Sequence, residues 1–220
     1  MLIRRICACI FLYAACTLLL VKDAAAARVD PWKSHMGAMV GLTSSQLMIS
    51  GPEEATIRSG TLWSAGFGMF LKTADHNQFR GELQIGYSVI GASREILFTT
   101  ADQKNIRIYD RYKTMPVTVY IIRNLGWKER FSAGLGVRSR AVLGHETRFP
   151  DPDPHTGVII SPPVQRWLGD VTAQFSLNTT FAEIAVSGWY DVNSVVRSSD
   201  AHANSAGVEL MVKLRLLNLK

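Results

Sequence analysis

Two short constellations in this chain carry residue types suited to catalysis or metal binding. His202-Ala203-Asn204-Ser205 sets an imidazole near a hydroxyl, and a histidine activates a serine when a carboxylate orients it. His145, Glu146, Asp151, Asp153 and His155 gather nitrogen and oxygen ligands along one segment. No recognised metal spacing joins them, and Asp-Pro repeats are ordinary loop chemistry, so no metal is expected. Gly134-Leu135-Gly136 lacks the third glycine and the following helix of a dinucleotide fingerprint, and no phosphate loop is present. No cofactor is expected. The larger set is ionic: Lys72, Arg80, Glu82, Arg138, Arg140, Glu209, Lys213 and Arg215 recur at alternate positions of strand-like segments. Such a set forms either a salt-bridged interior or the lining of a pore.

The segments that must position these residues show a period of two, and none shows a sustained helical period. Eight strands are expected, at about Met36–Met48, Thr61–Thr73, Phe79–Gly91, Ile106–Ile122, Phe131–Leu143, Asp170–Leu177, Phe181–Tyr190 and Ala206–Leu216. Long and short connections take turns between them. The longest, about 145–168, holds five of the chain's eight prolines, which marks it as loop. In the second segment Trp63, Ala65, Phe67, Met69 and Leu71 share one face, with Phe70 the exception on the other. In the third, Arg80, Glu82, Gln84 and Ser88 oppose Leu83, Ile85, Tyr87 and Val89.

This rhythm predicts an all-β, eight-stranded antiparallel up-and-down barrel with long loops at one end and short turns at the other. Period alone does not separate inside from outside, and a water-soluble barrel of the lipocalin type would reverse the polarity. The lysines, arginines and glutamates on the more polar face, beside glycines and small residues, favour a polar interior and an apolar wall in lipid. Pro116 forfeits a ladder hydrogen bond, so a bulge is expected there. Trp63, Trp127, Trp189, Tyr87, Tyr112 and Tyr190 are candidates for interfacial girdles.

Residues 1–27 read as a cleaved signal peptide, with Arg4 and Arg5 ahead of an apolar run and Ala25-Ala26-Ala27 as the cleavage site. The barrel domain is then 28–220. All three cysteines, Cys7, Cys9 and Cys16, fall within the leader, so the mature chain has no thiol chemistry. The leader's Arg4, Arg5, Lys22 and Asp23 sum to +2, so the formal charge falls from +6 to +4. That diffuse excess suits anionic lipid head groups and gives no argument for nucleic acid.

The ordered pieces of these strands resemble the PorT-like outer-membrane β-barrel family. Gly37-Ala38-Met39-Val40-Gly41-Leu42 is similar to its glycine-spaced first strand, Ala65-Gly66-Phe67-Gly68-Met69-Phe70 follows in the second, and Gly81-Glu82-Leu83-Gln84-Ile85-Gly86-Tyr87 looks like its Glu-Leu…Tyr strand. Tyr112-Lys113-Thr114-Met115-Pro116-Val117 is similar to its Tyr-Leu-x-x-Pro signature, and Asn204 and Gly207 open the last strand. The resemblance implies a bacterial outer-membrane location and a structural or interaction role accessory to secretion. The implied partners are outer-membrane lipids and envelope or secretion-complex proteins. His202 to Ser205 also looks a little like the His-x-Ser-Asn motif of lipid A deacylases, with a different order and spacing. The expected function is therefore a non-enzymatic outer-membrane barrel, with a lipid A-modifying enzyme or a narrow pore as alternatives.

Overall fold

A computed structural model describes residues 33–50, 57–96, 106–125, 130–148, 165–179, 182–197 and 202–219. The expected leader, Trp127 and the loop residues Asp151, Asp153 and His155 lie outside them. Among the described residues the chain forms β1 (His35–Ser50), β2 (Ile57–Lys72), β3 (Phe79–Ile96), β4 (Ile106–Leu125), β5 (Phe131–Arg148), β6 (Trp167–Asn178), β7 (Ala182–Asp191), β8 (Val196–Arg197) and β9 (His202–Asn218). Sequential strands pair antiparallel, and β9 pairs both β7 and β1, which closes the ring. The two-residue β8 lies against β9 outside that ring. The barrel is the expected eight-stranded, up-and-down one, and closure leaves no edge along its wall.

The polarity is that of a membrane barrel. Leu135 is 72% exposed, Trp63 70%, Ile121 67% and Val137 63%, while Lys72, Arg140 and Lys213 are fully buried. A barrel in water would bury the first set and expose the second. Eight strands enclose just enough room for side chains to fill.

The strands run longer than their alternation foretells, mostly at the end that carries the long connections. β3 continues to Ile96 and β5 to Arg148. There both faces are polar, as in Ser93-Arg94-Glu95 and His145-Glu146-Thr147. Period two shows only where one face meets lipid.

Pro116 does not carry the bulge expected at it. The β3–β4 ladder breaks off between Ile85↔Val117 and Ser88↔Thr114 without a change of register, since proline has no N–H to give. The bulge lies a turn of pleat away, between Lys113 and Thr114 of β4, where Leu143 of β5 is the extra residue. An extra residue in one strand swaps its faces beyond that point. Arg138 and Arg140 point inward before it, and His145 and Thr147 reach inward after it.

Of the girdle candidates, some lie on the outer wall and others lie inside the barrel. Trp63 and Tyr190 are exposed on the outer wall, and Tyr87 packs its ring on Phe67 there. Trp189 and Tyr112 are buried inside. Their places in the alternation, beside Ser187 and Thr114, put them there. At the short-turn end the outer aromatics are Phe79, over which Arg123 lies, and the stacked pair Phe131 and Phe175.

Candidate functional site: the closed interior

The interior is built in layers from residues on alternate positions of all eight strands. At the short-turn end, Arg215 of β9 donates to the Asn178 carboxamide at 3.0 Å and to the Thr179 carbonyl at 2.5 Å. Arg80 reaches the same Asn178 oxygen at 3.5 Å and stands 3.9 Å from the Asp75 carboxylate in the β2–β3 turn. Burial pushes the Asp75 carboxyl up from its ordinary value, against the pull of Arg80 and of the Asn124 amide.

Next comes a four-membered charge cluster. Lys72 donates to Glu82 at 2.8 Å and to Glu183. Lys213 donates to Glu82 at 2.5 Å and to Glu183 at 3.3 Å. Two ammonium groups and two carboxylates thus alternate around a square, each touching both groups of opposite sign. Gln174 accepts from Lys213 at 3.0 Å and from Gln84 at 3.3 Å, which ties the square to β3 and β6. Burying one such charge alone costs several kcal/mol, and mutual pairing is what offsets it.

Above the square, Arg138 donates to Glu209 at 3.2 Å and to Thr118 at 3.1 Å. Tyr120 and Thr172 share a hydrogen bond of 3.0 Å. Arg140 then bridges two carboxylates, donating to Asp170 at 2.6 Å and to Asp191. Its guanidinium lies 4.2 Å from the ring centroid of Trp189, so the Nε and Nη1 groups that lack a hydrogen-bond partner are held near a π face.

A buried apolar layer of Leu47, Ile90, Ala92, Tyr112, Leu168, Trp189 and Val195 lies on the long-connection side of these charges. Beyond it Arg94, His145 and Thr147 converge on Asp110, with His145 Nε2 at 3.4 Å and Thr147 Oγ at 3.1 Å. His145 also stacks on Tyr112 with ring centroids 4.6 Å apart. Paired charges and an apolar layer thus succeed one another through the interior.

The structure brings together, in neighbouring layers, the eight ionic residues singled out from sequence, and it adds acids to them. Glu183 joins the square, and Asp170 and Asp191 flank Arg140. Glu183 sits on the polar face of its strand and was within reach of the alternation. Asp191 lay past the expected strand end. Charge balance was the available signal, because six cations against two acids leave a buried interior uncompensated.

Only parts of the two constellations that suggested chemistry fall among the described residues. Ser205 is fully buried, and its hydroxyl and backbone N–H both donate to Asp191. Asp191 is in turn held by Arg140. The side chain of His202 lies outside the described part, and Asn204 donates to the Tyr190 hydroxyl at 3.2 Å. His145 and Glu146 lie on β5, not in a loop. Among the described residues no group of three or more metal-ligating side chains converges.

No protein-family model matches the chain, and no curated protein matches it. Among solved structures it is similar to the outer membrane protein OprG from Pseudomonas aeruginosa, at 12% identity over 83% of this chain and 94% of that one, with a TM-score of 0.40. Ail, the attachment invasion locus protein of Yersinia pestis, is 13% identical over 83% of this chain and 99% of its own, TM-score 0.38. Neisserial surface protein A is 10% identical over 81% and 97%, TM-score 0.40. At these values the likenesses leave function open.

Proposed function

We propose that this chain is a non-catalytic integral barrel of the bacterial outer membrane, with a structural or interaction role in the cell envelope. The observation that carries this reading is the inverted polarity of the closed ring. Its wall exposes Leu135, Val137, Ile121 and Trp63, and its interior is closed by paired charges. A closed barrel satisfies every backbone group within a bilayer. The short turns and both described chain ends then face the periplasm, and the long connections face outward. Cleavage before Arg28, a PorT-like membership and an accessory role in secretion belong to the same proposal, and they rest on the leader and on the ordered strand motifs alone.

Fractionation tests the reading. Expressed with its own leader, the chain is expected in the outer membrane with Arg28 as its first residue. Recovery from the periplasm as a soluble protein would contradict it.

The enzyme alternative is disfavoured by Ser205, whose hydroxyl is committed to a buried Asp191. The expected result is lipid A of unchanged acylation in cells that carry the chain and in cells that carry the Ser205→Ala variant. A change dependent on Ser205 would reinstate catalysis.

A further inference from the structure

Among the described residues the interior cations are engaged with acids, amides or rings, whereas Arg111 and Lys113 on the outer wall are not. Arg111 and Lys113 occupy successive outward positions of β4, about 7 Å apart along the strand. Lys113 is exposed, and Arg111 Nε is buried with no hydrogen-bond partner. Their neighbours across the ladders are Gly91 and Val89 on β3, and Glu146 and Gly144 on β5. A Cβ at Gly144 would only just touch the Lys113 stem, at 4.0 Å, so the wall beside that stem is uncrowded at Gly144.

Their height on the wall matters. Below them on β4 the outward residues are Met115, Val117, Val119 and Ile121, and Arg123 follows beside Phe79. Residues 114–122 thus form the lipid-facing stretch between two cations, which matches the roughly 9–11 residues a tilted strand needs to cross the hydrocarbon. A cation on that face is costly at mid-membrane and nearly free at the interface. Lys113 therefore marks the interface at the long-connection rim, and Arg111 stands one step above it. Met115 and Leu143, 41% and 60% exposed, continue the apolar wall below and beside the pair.

We infer that Arg111 and Lys113 form a binding site for the phosphate of a phosphorylated lipid in the leaflet at the long-connection rim. Guanidinium and ammonium groups both donate charge-assisted hydrogen bonds to phosphate oxygens. The acyl chains of such a lipid run down over Met115 and Leu143. Glu146 stands opposite Arg111 and sets the site's limit, because it repels a second anion on the β5 side. The inference rests on the membrane-barrel reading.

The test uses the whole mature barrel in dodecylmaltoside micelles, titrated with bisphosphorylated lipid A, with the same lipid stripped of phosphate, and with inorganic pyrophosphate. Native mass spectrometry reads the bound fraction. Phosphorylated lipid A is expected to bind, with about a 30-fold weaker affinity for R111Q/K113Q and full binding by R123Q at the opposite rim. Equal binding by R111Q/K113Q and the parent overturns the site. So does an equal loss in R123Q, which would mean general charge attraction, or full binding of the stripped lipid. Pyrophosphate binding as tight as the lipid's would make the ligand a free phosphate and overturn the lipid assignment. Gel mobility of unboiled against boiled samples separates the two levels. A variant that keeps the folded-barrel shift but binds lipid unchanged refutes the site alone, whereas a parent with no shift refutes the membrane reading beneath it.

Discussion

Arg140 shows how the interior gains its specificity one residue at a time. It is fully buried, bridges Asp170 and Asp191, and places its remaining face on Trp189. Truncating one partner of a buried ionic group strands the others, at a cost of about 3–5 kcal/mol. Arg140→Ala is therefore expected to lower the free energy of unfolding by about that amount in urea titrations followed by tryptophan fluorescence. Adding Asp170→Asn and Asp191→Asn to Arg140→Met should recover part of the loss, because no bare carboxylate then remains inside. A loss under about 1 kcal/mol in Arg140→Ala would mean that the carboxylates are solvated and the layer is not closed. Sequence showed Arg140 as inward through its parity with Arg138. It did not show Asp191, whose role depends on β7 running one residue past Tyr190.

At the scale of elements, alternation was legible wherever one face meets lipid and illegible above it. Trp63, Phe67 and Leu71 against Phe70 and Lys72 fix the face of β2 without reference to any other strand. In β5 the same reading stops at Leu143, because the bulge there reverses parity and His145 and Thr147 turn inward. A bulge adds one residue without any distinctive residue type, so pattern reading places it by chance. Deleting Leu143 is expected to leave a regular ladder, with Gly144 following Val142 and His145 still inward opposite Tyr112. Its imidazole resonances should then keep the ring-current shift from Tyr112, on which it stacks at 4.6 Å. Loss of that shift would place the bulge elsewhere. The belt itself makes a separate prediction. Leu135→Arg, on a residue 72% exposed on the outer wall, should cost about 2–4 kcal/mol of folding free energy in bilayers. A cost near zero there would mean that Leu135 faces water.

For the molecule as a whole, the interior decides between a plug and a pore. The charge square of Lys72, Glu82, Glu183 and Lys213, the Arg140 bridge and the apolar layer around Tyr112 and Trp189 succeed one another along the barrel axis. Lys72, Glu82, Lys213 and Arg140 are fully buried and paired across the barrel, so planar bilayers holding the purified barrel are expected to show no discrete conductance steps. On the proposed reading, the surfaces left for interaction are then the rims and the wall.

The claim on which all of this depends is that the ring is closed and stands in a membrane. The most direct measurement is the electrophoretic mobility of the detergent-extracted protein with and without boiling. A closed barrel kept folded in detergent is expected to migrate differently from its boiled, unfolded form, and to be extracted from the outer-membrane fraction. A chain that migrates identically before and after boiling, and that is recovered from the soluble periplasm, would contradict the account.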